Sequence, residues 1–340
     1  MSLLTHNKNL KGNNTFGIEV IASHFAEVAN DIEIRQLTDS YYYNKCKHLI
    51  LGMGANILFT SDFDGLVIKS NINHIEIEKE DQHFVHVKVG SGVVWNDFVH
   101  YALERNWYGI ENLIDIPGLC GGAVVQNIGA YGAEISGVVE RVRAYRMDPP
   151  RSYIELSKDE CKFSYRHSIF KKPDYNNKYF ITEVTFKLPK DFIPNIEYSG
   201  VKQALAECRI GNPTAKGVAH AISYLRQNKL PDYHKIGSAG SFFKNPIVVY
   251  EDYKDIIGKY NLTTYPVNEE VCKLSAAQLI ELAGFKGRRN GDAGVYSKHS
   301  LILCNYGNAT GEDVFQLALQ IVEQVNYMFG IKLTPEVIVW

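Results

Sequence analysis

Gly237-Ser238-Ala239-Gly240-Ser241-Phe242-Phe243-Lys244-Asn245-Pro246 sets a serine between glycine and two aromatics, with a lysine and an asparagine close behind. Glycine lets a backbone approach a ligand closely, and a serine hydroxyl can give up or accept a proton. The stretch reads as poor core material and good site material, with Ser241 as a candidate proton donor. Four other segments carry groups that such a serine would need.

The first is Gly52-Met53-Gly54-Ala55-Asn56, after an apolar run. Two glycines here could turn backbone N–H groups toward a phosphate, and a plain tight turn accounts for them equally well. The dinucleotide fingerprint is absent, because Ile57 stands where its third glycine would be. The second segment runs from Pro117 to Gly132 and holds five glycines, so it presents little side-chain bulk. Such a surface suits a flat ligand lying against backbone, with Gln126 and Asn127 as amide partners; the alternative is a glycine-rich turn. In the third, Tyr165-Arg166-His167, the planar arginine fork could clamp a carboxylate, or simply form a surface ion pair or rest its stem on an aromatic ring. Last, Pro335-Glu336-Val337 opens a terminal apolar strand that either ends in solvent or delivers Glu336 into a site.

The elements that must position these groups follow from periodicity. His48–Leu51 and Leu66–Ile68 read as buried strands, while 74–78 and 84–89 alternate with period two, as paired half-buried strands do. Gly90-Ser91-Gly92 leads into a helix through Trp95, Phe98, Val99, Ala102 and Leu103. Strands follow at 138–145, 153–156 and 181–186, and the character changes near Pro213. Helices are expected over 215–226 and 274–282, and Thr310-Gly311-Glu312-Asp313 has the capping-box pattern before an amphipathic helix. The chain closes on a strand at 336–340.

At 340 residues the chain is long enough for two or three domains. Its net charge of -2, without a block of one sign, gives no reason to expect nucleic acid or an anionic membrane as partner. Its cysteines are scattered, with no CxxC pair, as expected of reduced thiols in a cytoplasmic protein rather than of disulfides or structural zinc. No apolar run approaches the ~20 residues of a membrane helix, and the N-terminus lacks a signal-peptide core. There is no HExxH, EF-hand, Walker A or GxSxG pattern, so no metal is expected.

Taken together and in order, Asn14-Thr15-Phe16-Gly17, Gly52–Asn56, Ile116–Gly132, Tyr165-Arg166, Lys229-Leu230-Pro231-Asp232, Gly240–Pro246 and Pro335-Glu336-Val337 resemble the UDP-N-acetylenolpyruvoylglucosamine reductase (UDP-N-acetylmuramate dehydrogenase) family. The resemblance covers nearly the whole chain. It implies an α+β protein: an FAD-binding domain of the vanillyl-alcohol-oxidase type in two α/β subdomains, plus a smaller C-terminal α+β substrate domain. The implied boundaries are 1–70 (rejoined by the C-terminal strand near 331–340), 71–212 and 213–330.

The implied activity is NADPH-dependent, FAD-mediated reduction of UDP-N-acetylglucosamine enolpyruvate to UDP-N-acetylmuramate in peptidoglycan precursor synthesis, in the cytoplasm and with a monomer favoured. By matching motif, Arg166, Ser241 and Glu336 are the catalytic positions. Arg166 would stabilise negative charge next to the substrate carboxylate, Ser241 would protonate the carbon, and Glu336 would meet the carboxylate in protonated form or through a shared proton. FAD contacts are implied for Gly52, Met53, Gly54, Ala55 and Asn56, and for Gly90, Ser91 and Gly92. In the glycine-rich segment they are implied for Pro117, Gly118, Gly122, Ala123, Gln126, Asn127, Gly129, Ala130, Tyr131 and Gly132. Tyr165, Arg226, Lys229, Asn245 and His299 would contact the substrate. Tyr198, in Ile196-Glu197-Tyr198-Ser199-Gly200, matches the branch whose tyrosine-bearing loop closes over the nucleotide sugar. Three features depart from the pattern: Ala55 where relatives often have serine, Ile338 where some have arginine, and Gly121–Val125, which reads like the other branch. Two alternatives remain at this level, another flavin oxidoreductase with the same FAD domain and a non-catalytic flavin-binding regulator.

Overall fold

The computed structural model describes residues 3–340. The chain folds into two compact units. The first comprises residues up to 8, 22–53 and 63–228; the second comprises 9–21, 54–62 and 229–340.

Two larger sheets, with a two-stranded ribbon of Gly129–Ala130 and Ala133–Glu134, build the first unit. One has four strands in the order Leu4–Asn9, Ile21–Val28, Phe63–Ser70, His48–Leu51, and the last three run parallel. Leu66, Val67 and Ile68 are wholly buried, as a continuous apolar run in a parallel strand requires. Asn30 caps the helix Asp31–Asp39, accepting from the N–H groups of Ile32 and Glu33.

The other sheet has five strands in the order Ser152–Ser157, Val139–Arg146, Tyr179–Pro189, Phe84–Gly90, Ile75–Glu80, all antiparallel. Val85, Val87 and Val89 turn one face into a core with Trp95, Phe98 and Phe186, and the Trp95 indole donates to the Leu113 carbonyl at 2.8 Å. The helix Ala215–Lys229 buries Ala215, Val218, Ala219, Ile222 and Leu225 in that same core, so it packs with the strand-rich part and not with the segment it was expected to open.

In the second unit, Gly237–Ser241, Ile302–Asn305, Ala293–Val295 and Arg289–Asn290 form an antiparallel sheet in that order. A three-stranded sheet orders Ile247–Val249, Val271–Leu274 and Thr264–Pro266. The helix Gly311–Phe329 starts on the expected capping box, with Thr310 and Asp313 each accepting from the other's backbone N–H, and buries Val314, Leu317, Ala318, Ile321 and Val325.

Local expectations are corrected at three places. The helix expected from Leu274 begins at Ala276, because Leu274 ends a strand and the Ser275 side chain caps the helix by accepting from Gln278 N–H. The terminal strand is only Ile338–Val339, paired in parallel with Ile57–Leu58, so Glu336 sits in the bend before it. Phe242 and Phe243, read as part of a site stretch, are 0% and 1% exposed and belong to the core.

Candidate active site

Ser241 ends the strand Gly237–Ser241, and that strand is irregular in a specific way. Ser238 pairs with Cys304 and Ser241 with Ile302, so three steps on one side face two on the other. The extra residue is absorbed at Gly240, whose φ of +69° is left-handed. A bulge of this kind re-aims the side chain beyond it, here Ser241. Further back, Gly237 is fixed by packing, since a Cβ there would lie 2.0 Å from the Phe16 carbonyl oxygen.

Immediately beyond Ser241 the chain is clamped on both sides. Phe242 N–H donates to Leu301 O at 2.8 Å, and Phe242 O accepts from Glu336 N–H at 2.7 Å. Lys244 N–H donates to Thr334 O at 2.9 Å, and Phe243 pairs with Pro335. The buried Phe242 and Phe243 rings, 5.1 Å apart, anchor this segment in the core. Asn56 brackets Glu336 from a third direction: its Nδ2 donates to Glu336 O at 3.2 Å and its carbonyl accepts from Ile338 N–H at 3.1 Å. Ser241, Glu336 and Asn56, separated by up to 280 residues, thus share one backbone framework.

Two expected substrate residues stand on the same framework. Asn245 Oδ1 accepts from Ala276 N–H at 3.0 Å, which ties it to the start of the helix Ala276–Leu282. His299 Nδ1 accepts from Leu301 N–H at 3.3 Å, on the residue whose carbonyl holds Phe242. Burial pulls the His299 imidazolium below the usual histidine range, helped by the nearby charges of Lys229 and Lys286. Lys229 itself is exposed.

The first unit holds Arg166 on a tight reversal in which Ser164 and His167 exchange both backbone hydrogen bonds. Arg166 is left-handed at φ 52°, a conformation that favours glycine, and the reversal holds it there. Its guanidinium donates to Gly129 O at 2.7 Å and lies 5.2 Å from the Tyr165 ring centre. Lys171 Nζ donates to both Arg166 O and Gln126 Oε1. Asn127, wholly buried, spends its amide on Glu134, Ser164 and the Ser136 N–H. Its side chain therefore joins the glycine-rich segment to the Arg166 reversal.

A second group in this unit centres on Tyr131. The Tyr198 ring meets it edge-on, 5.6 Å away at 78°. Arg226 donates to Asp115 O at 3.0 Å, and burial lowers its pKa, offset by Tyr131 and Asp115. Ser223 Oγ donates to Asp115 Oδ2 at 2.5 Å. Neither Asp115 nor Asn112, three residues before it, is marked by any motif. Each is one polar residue in the mixed stretch Ile110-Glu111-Asn112-Leu113-Ile114-Asp115-Ile116.

The glycines divide into two kinds. Gly90 and Gly92 press on the backbone of residues 70–74: added Cβ atoms would lie 2.1 Å from Ile72 O and 2.7 Å from Ile72 N. Ser91 between them is buried and hydrogen-bonds Ser70 Oγ at 2.7 Å, so the triplet packs closely against that strand end. At Gly52, Gly118 and Gly122 a Cβ would meet nothing within 4 Å. Bare backbone facing open space is what a large flat cofactor needs at close approach, so these residues fit FAD. Ala123, next to Gly122, is buried. Among the described residues no group of three or more His, Cys, Asp or Glu side chains could hold a metal ion, and no helix is long and apolar enough to cross a membrane.

Comparisons with known proteins match this division of labour. The family model for an FAD binding domain matches residues 22–147, and that for the UDP-N-acetylenolpyruvoylglucosamine reductase C-terminal domain matches residues 231–340. The UDP-N-acetylenolpyruvoylglucosamine reductase of Porphyromonas gingivalis (strain ATCC 33277) is 40% identical over 331 residues, covering 96% of each chain. That of Flavobacterium johnsoniae is 41% identical over 334 residues, covering 97% of this chain and 98% of its own. The crystal structure of the Thermus caldophilus enzyme has the same fold, with a TM-score of 0.68 at 23% identity over 99% of this chain and 98% of that one. With two-fifths of its residues identical to these reductases over almost their full length, the chain belongs to the UDP-N-acetylenolpyruvoylglucosamine reductase family.

Proposed function

We propose that this chain reduces UDP-N-acetylglucosamine enolpyruvate to UDP-N-acetylmuramate at the expense of NADPH, in the cytoplasm and as a monomer. The observation that carries the reading is the backbone clamp that holds Ser241 and Glu336 on neighbouring segments. When bound, FAD would supply the redox chemistry, relaying hydride from NADPH to the methylene carbon of the enol ether. Gly52, Gly118 and Gly122 are the positions where it would approach the backbone most closely.

The protein's own residues do the rest. Hydride addition leaves an electron pair on the carbon that bears the ether oxygen and the carboxylate. Arg166 meets this charge with its fixed cationic fork; one well-placed donor of this kind is worth about 3 kcal/mol. Glu336 shares a proton with the substrate carboxylate and so fixes its orientation. Ser241 gives its hydroxyl proton to the carbon, forming the new C–H bond, and regains a proton from solvent. A serine is a weak acid, but the acceptor is a very strong base, so positioning decides the rate more than acidity does. Lys229, Asn245, His299, Tyr165 and Arg226 bind the UDP-sugar, and Tyr198 closes over it as a lid that excludes water. The two sheets of the first unit correspond to two lobes of the FAD-binding part, dividing near residue 70, with the substrate-binding part following.

Visible spectroscopy tests this reading. The purified protein should be yellow, should bleach with NADPH under anaerobic conditions, and should regain its colour when UDP-N-acetylglucosamine enolpyruvate is added. A preparation that cannot take up FAD, or whose reduced flavin ignores that substrate, defeats it.

A further inference from the structure

The segment that bears Tyr198 is joined to the glycine-rich segment through asparagine side chains. Asn112, in the single turn Glu111–Leu113, is 1% exposed. Its amide nitrogen donates to Tyr131 O at 2.7 Å and to Asn195 O at 2.8 Å. Asn195 in turn donates from Nδ2 to Gly132 O at 3.0 Å. Both partners of the Asn112 amide are carbonyls, so only its nitrogen can face them. Its own oxygen is buried with no hydrogen-bond partner. Leaving such a group unpaired is a penalty that a residue present for packing alone would not need to carry.

We propose that Asn112 and Asn195 form a clasp that holds Tyr198 against Tyr131 and thereby sets the affinity for the UDP-sugar. The inference rests on the reading of Tyr198 as the substrate lid. Asn195 lies only three residues before Tyr198, a span of at most about 10 Å of extended chain. With Asn195 pinned at both its carbonyl and its amide, the phenol starts from a fixed point and has little freedom to lose when it meets Tyr131 and the substrate. Without the clasp, part of the cost of ordering that segment falls on substrate binding. Both asparagines are positioning residues; neither touches a reacting atom.

The test is a double-mutant cycle in the FAD-loaded enzyme, with UDP-N-acetylglucosamine enolpyruvate as ligand. Asn195→Ala, at the accessible end of the clasp, should raise the apparent KM for this substrate by about five- to ten-fold, as expected for one hydrogen bond. FAD content and the rate of flavin reduction by NADPH should stay unchanged. Asn112→Asp loses both donors and sets a buried carboxylate against two carbonyls, so it should raise the KM at least as far. In a Tyr198→Ala background, Asn195→Ala should add nothing, because the clasp acts only through the ring. An unchanged KM for Asn195→Ala overturns the proposal. So does an equal rise in the Tyr198→Ala background, and that result leaves the lid reading intact. If Tyr198→Ala alone leaves KM unchanged, the lid reading fails and the clasp falls with it.

Discussion

The peptide N–H of Glu336 donates to the carbonyl oxygen of Phe242 at 2.7 Å, which places the glutamate's backbone one residue from Ser241. The bond is short and sits over two fully buried rings, so neither side can shift alone. A serine and a glutamate from opposite ends of the 229–340 segment are thereby fixed by backbone, before any side-chain interaction is considered. Asn56 adds a second tie to the Glu336 carbonyl.

Ser241→Ala should leave flavin reduction by NADPH at its normal rate and slow reoxidation by the UDP-sugar by about 10²–10⁴-fold, the usual range for a positioned proton donor. Single-turnover stopped-flow absorbance separates the two half-reactions. Gly240→Ala is the companion variant. It keeps the hydroxyl but forces an alanine to φ +69°, at about 1–2 kcal/mol, so it should lower stability modestly and also slow reoxidation. Normal reoxidation in Ser241→Ala would remove the serine from the reaction.

Arg166→Lys keeps the charge and loses the planar fork that reaches Gly129 O. If the guanidinium is the group that meets charge developing on substrate, reoxidation should fall by about 10²-fold while reduction by NADPH is spared. A variant slowed only in the NADPH half-reaction would place Arg166 elsewhere in the cycle.

Much of this framework can be read from residue order. The capping box at Thr310, the alternation at 84–89 and the continuous apolar run at 66–68 each encode their element locally, because cap chemistry and side-chain period are local properties. Ser241 stands out locally, set among glycines, whereas Arg166 and Glu336 read alone as a surface ion pair or a solvated strand end and become catalytic candidates only through the family resemblance. The parts that escaped depend on distant partners. Phe242 and Phe243 look like ligand-facing aromatics until the 334–337 segment covers them. Glu336 loses its strand because Phe242 takes its N–H. Asn127 looks like a ligand amide, but Glu134 and Ser164 use it, and Asn112 gains meaning only when Tyr131 and Asn195 arrive beside it. The bulge at Gly240 leaves no local signature beyond one glycine among many.

His299 makes a pH prediction with a definite sign. Its folded pKa is lowered, chiefly by burial and then by Lys229 and Lys286. Below its unfolded value of about 6.5 the unfolded chain therefore takes up a proton that the folded chain refuses. Stability from this group is complete above that value and is lost as pH falls through the window toward the folded pKa. Denaturant unfolding should show that His299→Gln loses less stability than the parent over that window. Lys229→Met should move the folded His299 pKa upward in an NMR titration of the ring; no movement would show that the lysine charge does not reach it.

The contrast between Gly122 and Gly90 tests which glycines serve the cofactor. Gly122 lies within the helix Cys120–Gln126, has no left-handed φ, and would place a Cβ in open space. In the FAD-free protein, Gly122→Ala should therefore be neutral or stabilising by up to about 1 kcal/mol, the ordinary gain for alanine over glycine in a helix. If FAD lies against that backbone, the same methyl group occupies its place, and the variant should bind FAD more weakly while folding at least as well. Gly90→Ala should behave in the opposite way. Its Cβ would come within 2.1 Å of Ile72 O, so it should lower the Tm of the FAD-free protein, and its FAD affinity should fall only as far as the fold does. FAD titration by flavin fluorescence, alongside thermal unfolding with and without FAD, reads both quantities. A Gly122→Ala protein that retains full FAD affinity would show that the open space beside this helix is not where the flavin nucleotide rests.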